Sequence, residues 1–413
     1  MWTPIHWTLL GLLGVALVQW LPLPVELHPV SFGYSFEGLP VQLDRWTAIS
    51  QDRHATAAAA AVLAALSVLF FVATNLLQSA RQIRQLVKGL TIIGFAMALV
   101  AVLDRLSDPS DPLLRGSGAF GLYYYSMGRL VGYMEMIMPL PLAMMLTAVA
   151  QRDEWAWYGL AAITLGVGIV LADATGGVFV LVIQLVALVL LLRKRHIRLT
   201  EASARKRHVV WIGVGATLIV GMIIGGAVWF GTRSVPRAIL SDVQINFPEL
   251  DRARQDASQA DYFSRYYGRA GIWKASLPMI ADYPVMGVGL GSYPTAYTRY
   301  DPASGLFLVN AAHNDYLQLV CETGLIGALI LMLFLWSLVR LCQRAMNDEN
   351  PFGSAVAVGA TVGCLGILAH SLGDFHLQAP GAGLLFLLLI AVLIGVYRLQ
   401  AHGANASGDG MPN

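Results

Sequence analysis

Charged residues are scarce in this chain. Asp, Glu, Lys and Arg make up 13% of its 413 residues, about half of the roughly 25% that is usual in soluble domains. The hydrophobic fraction is 56%, and apolar runs near membrane-spanning length recur along the sequence. The composition excludes an ordinary soluble domain and predicts an integral membrane protein. The net charge of +2 gives no indication of a nucleic-acid partner, and we expect no nucleic acid to bind.

Several chemical signatures are also missing. Cysteine occurs only at Cys321, Cys342 and Cys364, in or beside expected membrane helices, so we expect no disulfide. CxxC and other metal-type cysteine spacings are absent, and we expect no metal. There is no Walker A motif and no dinucleotide fingerprint. These absences argue against an ATP-driven machine and a nicotinamide enzyme, and no cofactor is expected.

The expected fold is an all-α integral membrane protein with about ten transmembrane helices and one large, partly helical periplasmic loop. The expected helices cover 5–23, 55–77, 89–106, 130–150, 155–172, 176–192, 209–230, 316–339, 353–371 and 381–398. They define an N-terminal bundle of about seven helices (1–230), a periplasmic loop domain (231–315), about three C-terminal helices (316–400) and a disordered cytoplasmic tail (401–413). A signal peptide is the alternative for 5–23, but that segment has neither a charged n-region nor a small-residue cleavage site.

Lys and Arg fix the expected orientation, because cytoplasmic loops are enriched in them. With a cytoplasmic N-terminus, every positive cluster falls on the cytoplasmic side; the clusters are Arg81, Arg84 and Lys88, the run 193–207, Arg340 with Arg344, and Arg398. We interpret the 193–207 run as a topology anchor rather than an RNA- or lipid-binding site. The same topology places 231–315 outside, and loops of such length are usually functional.

Two patterns in the last third of the chain carry candidate chemistry. His313 and Asn314 stand immediately before a strongly apolar helix, which predicts an imidazole at a membrane surface. Arg269 and Trp273 lie in the exterior loop, one helical turn apart, so they share a helix face. This helix must end near Tyr283, because a proline follows it. A surface histidine and a salt-bridged arginine are the purely structural alternatives.

Two further features are a series of three glycines in the exterior loop and a group of His and Asp residues near the end of the ninth expected helix. The glycines are Gly287, Gly289 and Gly291; we interpret them as tight turns, since they do not lie between the strand and helix of a nucleotide fold. His370 and Asp374 are spaced i,i+4 and are expected to face the same way, with His376 just beyond. A metal site of these three residues is the alternative; we favour a hydrogen-bond network near the active site.

Taken in order, these patterns resemble the O-antigen ligase and polymerase superfamily of bacterial envelope enzymes. The residues that carry the resemblance are Arg269, Trp273, Tyr283, Pro284, Gly287, Gly289, Gly291, Tyr293, His313, Asn314, Leu317, Gln318, Glu322, Gly324, Gly327, His370, Asp374 and Phe375. The segments 49–56 and 133–142 are also similar to this group. The resemblance extends over most of the chain, and its specific part is the last third.

The resemblance implies a multi-pass glycosyltransferase of the bacterial inner membrane, with its active site facing the periplasm. Members transfer a glycan from undecaprenyl diphosphate to an acceptor hydroxyl and are described as metal-independent and inverting. Ligases use a lipid A-core sugar, polymerases another lipid-linked repeat, and a related branch a Ser or Thr of a protein. The expected partners are therefore an undecaprenyl diphosphate-linked glycan donor, a lipid A-core or glycan acceptor, and membrane lipid. The sequence leaves the three acceptors open.

The chain departs from the superfamily at one basic position. Many members carry Ser-Arg-Gly at the start of the helix after a short exterior turn, where this chain has no arginine but Ala174-Thr175-Gly176-Gly177. Arg129 and Arg265 are candidates to replace it, and a different mode of donor binding is the alternative. Members also often have about twelve helices, against about ten expected here.

The expected chemistry needs a base and a phosphate ligand. Diphosphate is a good leaving group, so the acceptor alcohol needs activation, which positioned acid–base catalysis supplies at about 100- to 10,000-fold. Histidine as a residue type has an unperturbed pKa of about 6.5. His313 is therefore the expected base, and Asn314 would orient it or a sugar hydroxyl. Arginine binds phosphate oxygens through a planar fork, which makes Arg269 the first choice for the diphosphate and Arg265 the second.

Other residues are expected in supporting roles. Glu322 lies roughly 13 Å along its helix from His313, too far for a direct partner, and we expect it to pair with another helix. Trp273, His370 and Asp374 are also supporting residues. Glu135, in the fourth expected helix, is a further acidic residue in a membrane helix and hence a secondary functional candidate, with Arg129 as a candidate counter-ion.

The competing function is transport of lipid-linked sugars. A transporter or flippase predicts an internal repeat and charges deep in the bilayer. The sequence contains no evident repeat, and most ionisable residues cluster at interfaces and in one exterior loop, which favours an enzyme. A structural scaffold is a third alternative, but it would not need a His-Asn edge and a basic helix on one side.

Overall fold

A computed structural model describes residues 2–24, 46–106, 127–147, 152–172, 175–194, 268–302, 308–347 and 350–408. The expected helix 209–230, the candidate Arg265 and most of the positive run 193–207 lie outside these ranges, and so does the side chain of Arg129. Across the described ranges the chain is mainly helical, so the predicted α-helical class is confirmed.

The described helices, in chain order, are α1 (Pro4–Trp20), α2 (Arg53–Leu76), α3 (Ala80–Leu106), α4 (Met127–Ile137), α5 (Pro139–Leu146), α6 (Arg152–Leu171), α7 (Thr175–Lys194), α8 (Arg269–Asp282), α9 (Tyr293–Tyr297), α10 (Asp315–Ala345), α11 (Pro351–His370) and α12 (Pro380–Gly408). Two short strands, β1 (Pro22–Pro24) and β2 (Trp46–Ala48), pair antiparallel between α1 and α2.

Six of these helices contain a stretch that is long and apolar enough to cross a membrane: Arg53–Leu76, Ala80–Leu103, Glu154–Leu171, Asp315–Ala345, Pro351–His370 and Pro380–Ala401. Shorter apolar helices cover Pro4–Trp20, Leu130–Leu146 and Gly176–Leu192. The chain is therefore a multi-pass membrane protein, as predicted. The number of ten spans and the periplasmic position of the long loop stay predictions.

Two local details differ from the sequence-based expectation. The predicted helix 130–150 is two helices, α4 and α5, which meet at Met138. Pro139 then opens α5, where a proline loses no helical hydrogen bond. The predicted helix 5–23 ends at Trp20, and the residues after it form β1. Hydropathy does not detect either change, because the apolar character continues through both.

Contacts group the chain into two compact units. Unit 1 comprises 1–68, 234–337 and 371–375, and unit 2 comprises 69–233, 338–370 and 376–413. In unit 2, α11 is the central helix and packs against α4, α5, α7 and α12. Gly359 brings α11 close to α5, since a Cβ there would lie 2.9 Å from the carbonyl oxygen of Pro139. Small residues allow such close packing between membrane helices.

Unit 1 is built around α8, α9 and the first part of α10. Ile272 and Met279 of α8 are buried against Tyr293, Tyr297 and Cys321. The hydroxyls of Ser276 and Tyr293 lie 2.7 Å apart inside this core, and burial raises the pKa of the Tyr293 phenol. α8 ends at Asp282, which confirms the end predicted from the following proline.

Helix α10 is broken at Gly324, whose φ and ψ are 61° and −155°. The segment 284–291, called the glycine loop here, supplies backbone hydrogen bonds on both sides of the break. Val288 donates to the carbonyl of Cys321 at 3.0 Å, and Leu325 donates to the carbonyl of Pro284 at 2.8 Å. The expected single helix is therefore two helical pieces joined through a neighbouring loop.

The three glycines of this loop all have positive φ, between 68° and 109°, which confirms the predicted turns. At Gly287 a side chain would overlap the backbone of Glu322 and Thr323. Glycine is required there both by the backbone conformation and by the close approach to α10.

Candidate active site

His313 lies in the connection that enters α10, and its backbone is left-handed, with φ of 50°. Among the described residues it is the one non-glycine residue with positive φ. Such a conformation costs on the order of 1 to 3 kcal/mol and persists only where the surroundings determine it. Asn314 then caps the helix, because its Oδ1 accepts the N–H of Leu317 at 2.9 Å.

Asp374 lies between the imidazole of His313 and the guanidinium of Arg269. Its Oδ1 is 3.6 Å from His313 Nδ1, and its Oδ2 is 3.6 Å from Arg269 Nη2. The His313 side chain is 14% exposed, Asp374 21% and Arg269 51%. His313 Nδ1 is buried and makes no hydrogen bond within the described residues. The Asp374 carboxylate thus lies beside an imidazole and a guanidinium, and the guanidinium is half exposed.

The turn 371–375 carries Asp374 to this position. Asp315 donates its backbone N–H to the carbonyl of Ser371 at 3.0 Å, and the hydroxyl of Ser371 donates back to Asp315 Oδ2 at 2.7 Å. The side-chain amide of Asn314 donates to the carbonyl of Leu372 at 3.0 Å. The ring of Phe375 then packs edge-on to the imidazole of His313, with centroids 4.9 Å apart.

Asp374 lies on a turn rather than on a helix. α11 ends at His370, so Asp374 does not lie on the same helix as His370, and helical spacing is not what positions it. The amide of Asn314 bonds backbone groups at both of its ends, so the structure gives this residue a part in joining the turn to α10. Its predicted role toward a sugar hydroxyl stays a prediction.

The backbone just before His313 is fixed from two sides. The indole N–H of Trp273 donates to the carbonyl of Ala312 at 2.8 Å. The N–H of Ala312 donates to Gln318 Oε1 at 2.9 Å. Trp273 therefore connects α8, which carries Arg269, to the segment that carries His313, and the two motifs recognised in the sequence meet in unit 1.

Glu322 lies beneath this segment and is buried. It accepts a hydrogen bond from the amide of Gln318 at 3.0 Å, and the backbone N–H groups of Gly291 and Tyr293 are also bonded to its carboxylate. The glycine loop thus surrounds a carboxyl group of the protein itself. As predicted, Glu322 is not the direct partner of His313.

Gln19 of α1 joins the same network and was not identified from the sequence. It is fully buried, and its Nε2 donates to the carbonyls of Met286 at 2.5 Å and Glu322 at 2.8 Å. Its Oε1 accepts the N–H of Leu290 at 3.0 Å. The available signal was a lone amide in an otherwise apolar helix, a type of residue that usually has a specific partner in a membrane protein.

A second polar cluster lies in the core of unit 2. His370 Nδ1 is 2.8 Å from Glu135 Oε2, and both side chains are buried. His376 packs edge-on to His370, with ring centroids 4.2 Å apart. His370 is thus a partner of Glu135, and the expected counter-ion Arg129 has its side chain outside the described part of the chain. Gly176, in the segment without the arginine, leaves space that His370 Nε2 approaches, since a Cβ there would be 2.8 Å away.

The structure therefore brings together six of the sequence-predicted residues in unit 1: Arg269, Trp273, His313, Asn314, Glu322 and Asp374. His370 belongs to unit 2. Arg265 and the side chain of Arg129 lie outside the described part of the chain. The sequence did not indicate Gln19 or the Ser371–Asp315 bond. It also gave no sign that Asp374 is shared between His313 and Arg269.

These observations define a multi-pass membrane protein with a His–Asp–Arg group beside a broken helix. Residues 160–332 match the family model described as O-antigen ligase. This match confirms the resemblance to the O-antigen ligase and polymerase superfamily of membrane glycan ligases and polymerases over that segment. His313, Arg269 and Glu322 fall within the matched residues, whereas Asp374 lies beyond them. No curated protein matches the chain.

Proposed function

We propose that this protein is a glycosyltransferase of the inner membrane that transfers a glycan from undecaprenyl diphosphate to an acceptor hydroxyl at the periplasmic face. The observation that carries the proposal is the position of Asp374, 3.6 Å from both His313 and Arg269. One carboxylate then orients the candidate base and the candidate phosphate ligand together. The family match supplies the substrate class, lipid-linked glycans.

His313 acts as the base in this proposal. With Nδ1 directed at Asp374, the imidazole keeps its proton on that nitrogen, and Nε2 is free to accept the proton of the acceptor hydroxyl. The separation of 3.6 Å is longer than a hydrogen bond, but such contacts often shorten when substrate is bound. The acceptor oxygen forms its bond to the anomeric carbon as the bond from that carbon to the diphosphate oxygen breaks.

Arg269 stabilises the leaving diphosphate. Its side chain is half exposed, so the guanidinium is accessible to a ligand while Asp374 holds one edge of it. Negative charge grows on the departing oxygen, and a planar guanidinium offers paired donors to phosphate oxygens. Lysine, a point charge, lacks this geometry. Metal-free transfer is expected from the family resemblance.

Transport of the lipid-linked glycan is the second candidate. The observation in its favour is the break in α10 at Gly324, because discontinuous membrane helices form the substrate sites of many secondary transporters. The broken region here is filled by the glycine loop and by Glu322 and Gln19, which leaves a packed support rather than an open site.

Transfer by the purified protein in lipid tests the proposal. Undecaprenyl diphosphate-linked glycan is the donor, without added metal or nucleotide, and the acceptors are a lipid A-core, a second lipid-linked repeat and a Ser-containing peptide. We expect product on one acceptor, which also separates ligase, polymerase and protein-glycosylating activities. We expect His313→Ala to lower kcat about 100- to 10,000-fold.

Matched variants make the result specific. His54→Ala removes another histidine of unit 1, which is exposed at the start of α2, and should leave the rate unchanged. Arg269→Lys should recover little of the activity lost in Arg269→Ala, whereas Lys274→Ala, which removes a positive charge from the same helix, should be near wild type. Full transfer by both His313→Ala and Arg269→Ala would refute the assignment of these residues as base and phosphate ligand, and no product from the wild type on any acceptor would refute the enzyme. Movement of labelled glycan lipid across the bilayer without any product would favour the transporter.

A further inference from the structure

The hydrogen bonds beneath His313 form one continuous path through buried groups. The path starts at Gln19, which binds the backbone carbonyl of Glu322. It continues from the Glu322 carboxylate to the amide of Gln318, and from Gln318 Oε1 to the N–H of Ala312. Ala312 is the residue directly before His313, so the path ends on the peptide unit that sets the position of the imidazole.

The donor and acceptor atoms of Gln318 and Glu322 are engaged in defined hydrogen bonds. Gln318 donates through Nε2 to Glu322 and accepts through Oε1 from Ala312, so both ends of its amide are committed. Glu322 accepts from Gln318 and from two backbone N–H groups of the glycine loop and α9. All of these side chains are nearly or fully buried. A buried network that is satisfied in this manner is rigid and specifies one arrangement.

The end of the path coincides with an unfavourable backbone conformation. His313 has a φ of 50°, which a non-glycine residue retains only if neighbouring contacts determine it. Trp273 supplies one such contact, on the carbonyl of Ala312, and Gln318 supplies the other, on its N–H. Without the second contact, the segment is free to relax toward an ordinary backbone, which would move the imidazole away from Asp374.

We propose that Gln318 and Glu322 are positioning residues for His313. Their buried amide–carboxylate pair holds the left-handed backbone at His313 and thereby sets the distance between the imidazole and the hydroxyl of the acceptor substrate. This inference rests on the proposed transfer activity and assigns to these two residues no contact with substrate. Gln19 acts one step further away, by fixing the glycine loop against the broken helix α10.

Exchange of the two polar groups tests this assignment. Gln318→Glu places two carboxylates against each other and removes the donor to Glu322. The double variant Gln318→Glu/Glu322→Gln restores one donor and one acceptor, while position 318 still accepts from Ala312 and position 322 still accepts from the glycine loop. We expect Gln318→Glu and Gln318→Leu to lower kcat about 10- to 100-fold, because small displacements of a catalytic group have effects of this size. The double variant should recover most of the loss.

The kinetic pattern separates positioning from folding. Misplacement of the base lowers kcat per folded molecule, whereas the KM for the lipid-linked donor should stay within about twofold, since Arg269 is untouched. Gln184→Leu is the matched control: Gln184 is a buried glutamine of unit 2 that binds the carbonyl of Glu135 at 2.8 Å. It should reduce the amount of folded protein without changing kcat per folded molecule.

Two outcomes would overturn the inference. A wild-type kcat in Gln318→Leu, with His313→Ala inactive in the same assay, would show that the network does not position the base. A double variant no better than Gln318→Glu would show that the amide–carboxylate pair is not the relevant feature. If the wild type transfers no glycan, or if His313→Ala is fully active, the proposed function or its assigned base fails instead, so these failures are distinguishable from failure of the inference.

Discussion

At the scale of single residues, Asp374 is the group that links His313 and Arg269 into one site. Histidine at a membrane edge and arginine on an exterior helix are each common, and either has a purely structural explanation. A carboxylate placed 3.6 Å from both couples them, because neutralising it would release the imidazole and the guanidinium at once. Asp374 is also the residue whose placement the sequence explained least well.

Asp374→Asn should therefore lower kcat by roughly 10- to 100-fold, less than the loss of the base itself, which is worth about 100- to 10,000-fold. The amide keeps the shape of the side chain but removes the charge that orients His313 and Arg269. The transfer assay measures this directly. Asp282→Asn is the control, since Asp282 accepts from Tyr300 at 2.7 Å in the same unit; an equal loss there would contradict a specific role for Asp374.

The sequence located His313, Arg269 and Trp273 because local patterns carry them: a polar pair before an apolar run, and two residues one turn apart on a helix. The prediction for Asp374 assumed that the helix continues past His370, but the helix ends at that residue. The Ser371–Asp315 hydrogen bond that positions the turn joins residues far apart in the chain. Periodicity and spacing contain no information about such a pairing.

At the scale of elements, the break in α10 was invisible to hydropathy. Glu322 and Thr323 are the only polar residues beside Gly324, and they are too few to interrupt the hydropathy pattern, so the sequence predicted one uninterrupted helix over 316–339. The break depends on the glycine loop, whose backbone replaces the missing helical hydrogen bonds. The bounds of α2, α7 and α11 were predicted within a few residues, since each is a simple apolar stretch between polar ends.

Gly324→Ala should destabilise the protein by about 2 kcal/mol or more. The backbone of Gly324, with φ of 61° and ψ of −155°, is essentially restricted to glycine and costs another residue about 1 to 3 kcal/mol, and the added methyl would overlap the backbone of Val285. Thermal unfolding of Gly324→Ala in detergent should have a lower midpoint than that of the wild type. Gly14→Ala in α1 is the matched change, because nothing lies within 4 Å of a Cβ there, and it should be neutral or slightly stabilising. Equal midpoints for the two variants would argue against a required break.

The start of α2 should make stability depend on pH. Asp52 Oδ1 accepts the N–H of Ala55 at 2.9 Å, and this bond, together with that from Thr295, lowers the pKa of the carboxyl below its usual 3.8. A lowered folded-state pKa means that the stabilisation is complete above the unfolded value and disappears as the pH falls through the folded value.

The midpoint of thermal unfolding, followed from pH 7 to pH 3, tests this expectation. At neutral pH the unfolding midpoint of the wild type should be higher than that of Asp52→Asn. This difference between the two midpoints should vanish in the acid range below the ordinary carboxyl pKa. Asp52→Ala should be less stable than wild type throughout, because it removes the helix cap as well as the charge. A difference between wild type and Asp52→Asn that does not change with pH would contradict the role of the ionised form.

At the scale of the whole molecule, the orientation in the membrane can be measured. In a variant with Cys321, Cys342 and Cys364 replaced by alanine, we expect an impermeant maleimide to label Lys274→Cys from the periplasm. Gln343→Cys, near the end of α10, should react only after the inner membrane is opened. Both positions are exposed, so access to the reagent depends on the side of the membrane. The reverse pattern would invert the predicted topology.

The break in α10 has a consequence for how such an enzyme meets its substrate. The part of the helix after Gly324 is about the 20 residues that a bilayer core requires. We therefore expect the nine-residue piece from Asp315 to Thr323, with His313 just ahead of it, to extend past the span toward the surface. If His313 is the base, as proposed, it would be reached at that level by molecules diffusing within the leaflet. Turnover would then follow the mole fraction of glycan lipid in the membrane. Diluting that lipid with inert phospholipid would slow the enzyme even when the bulk amount of substrate is unchanged.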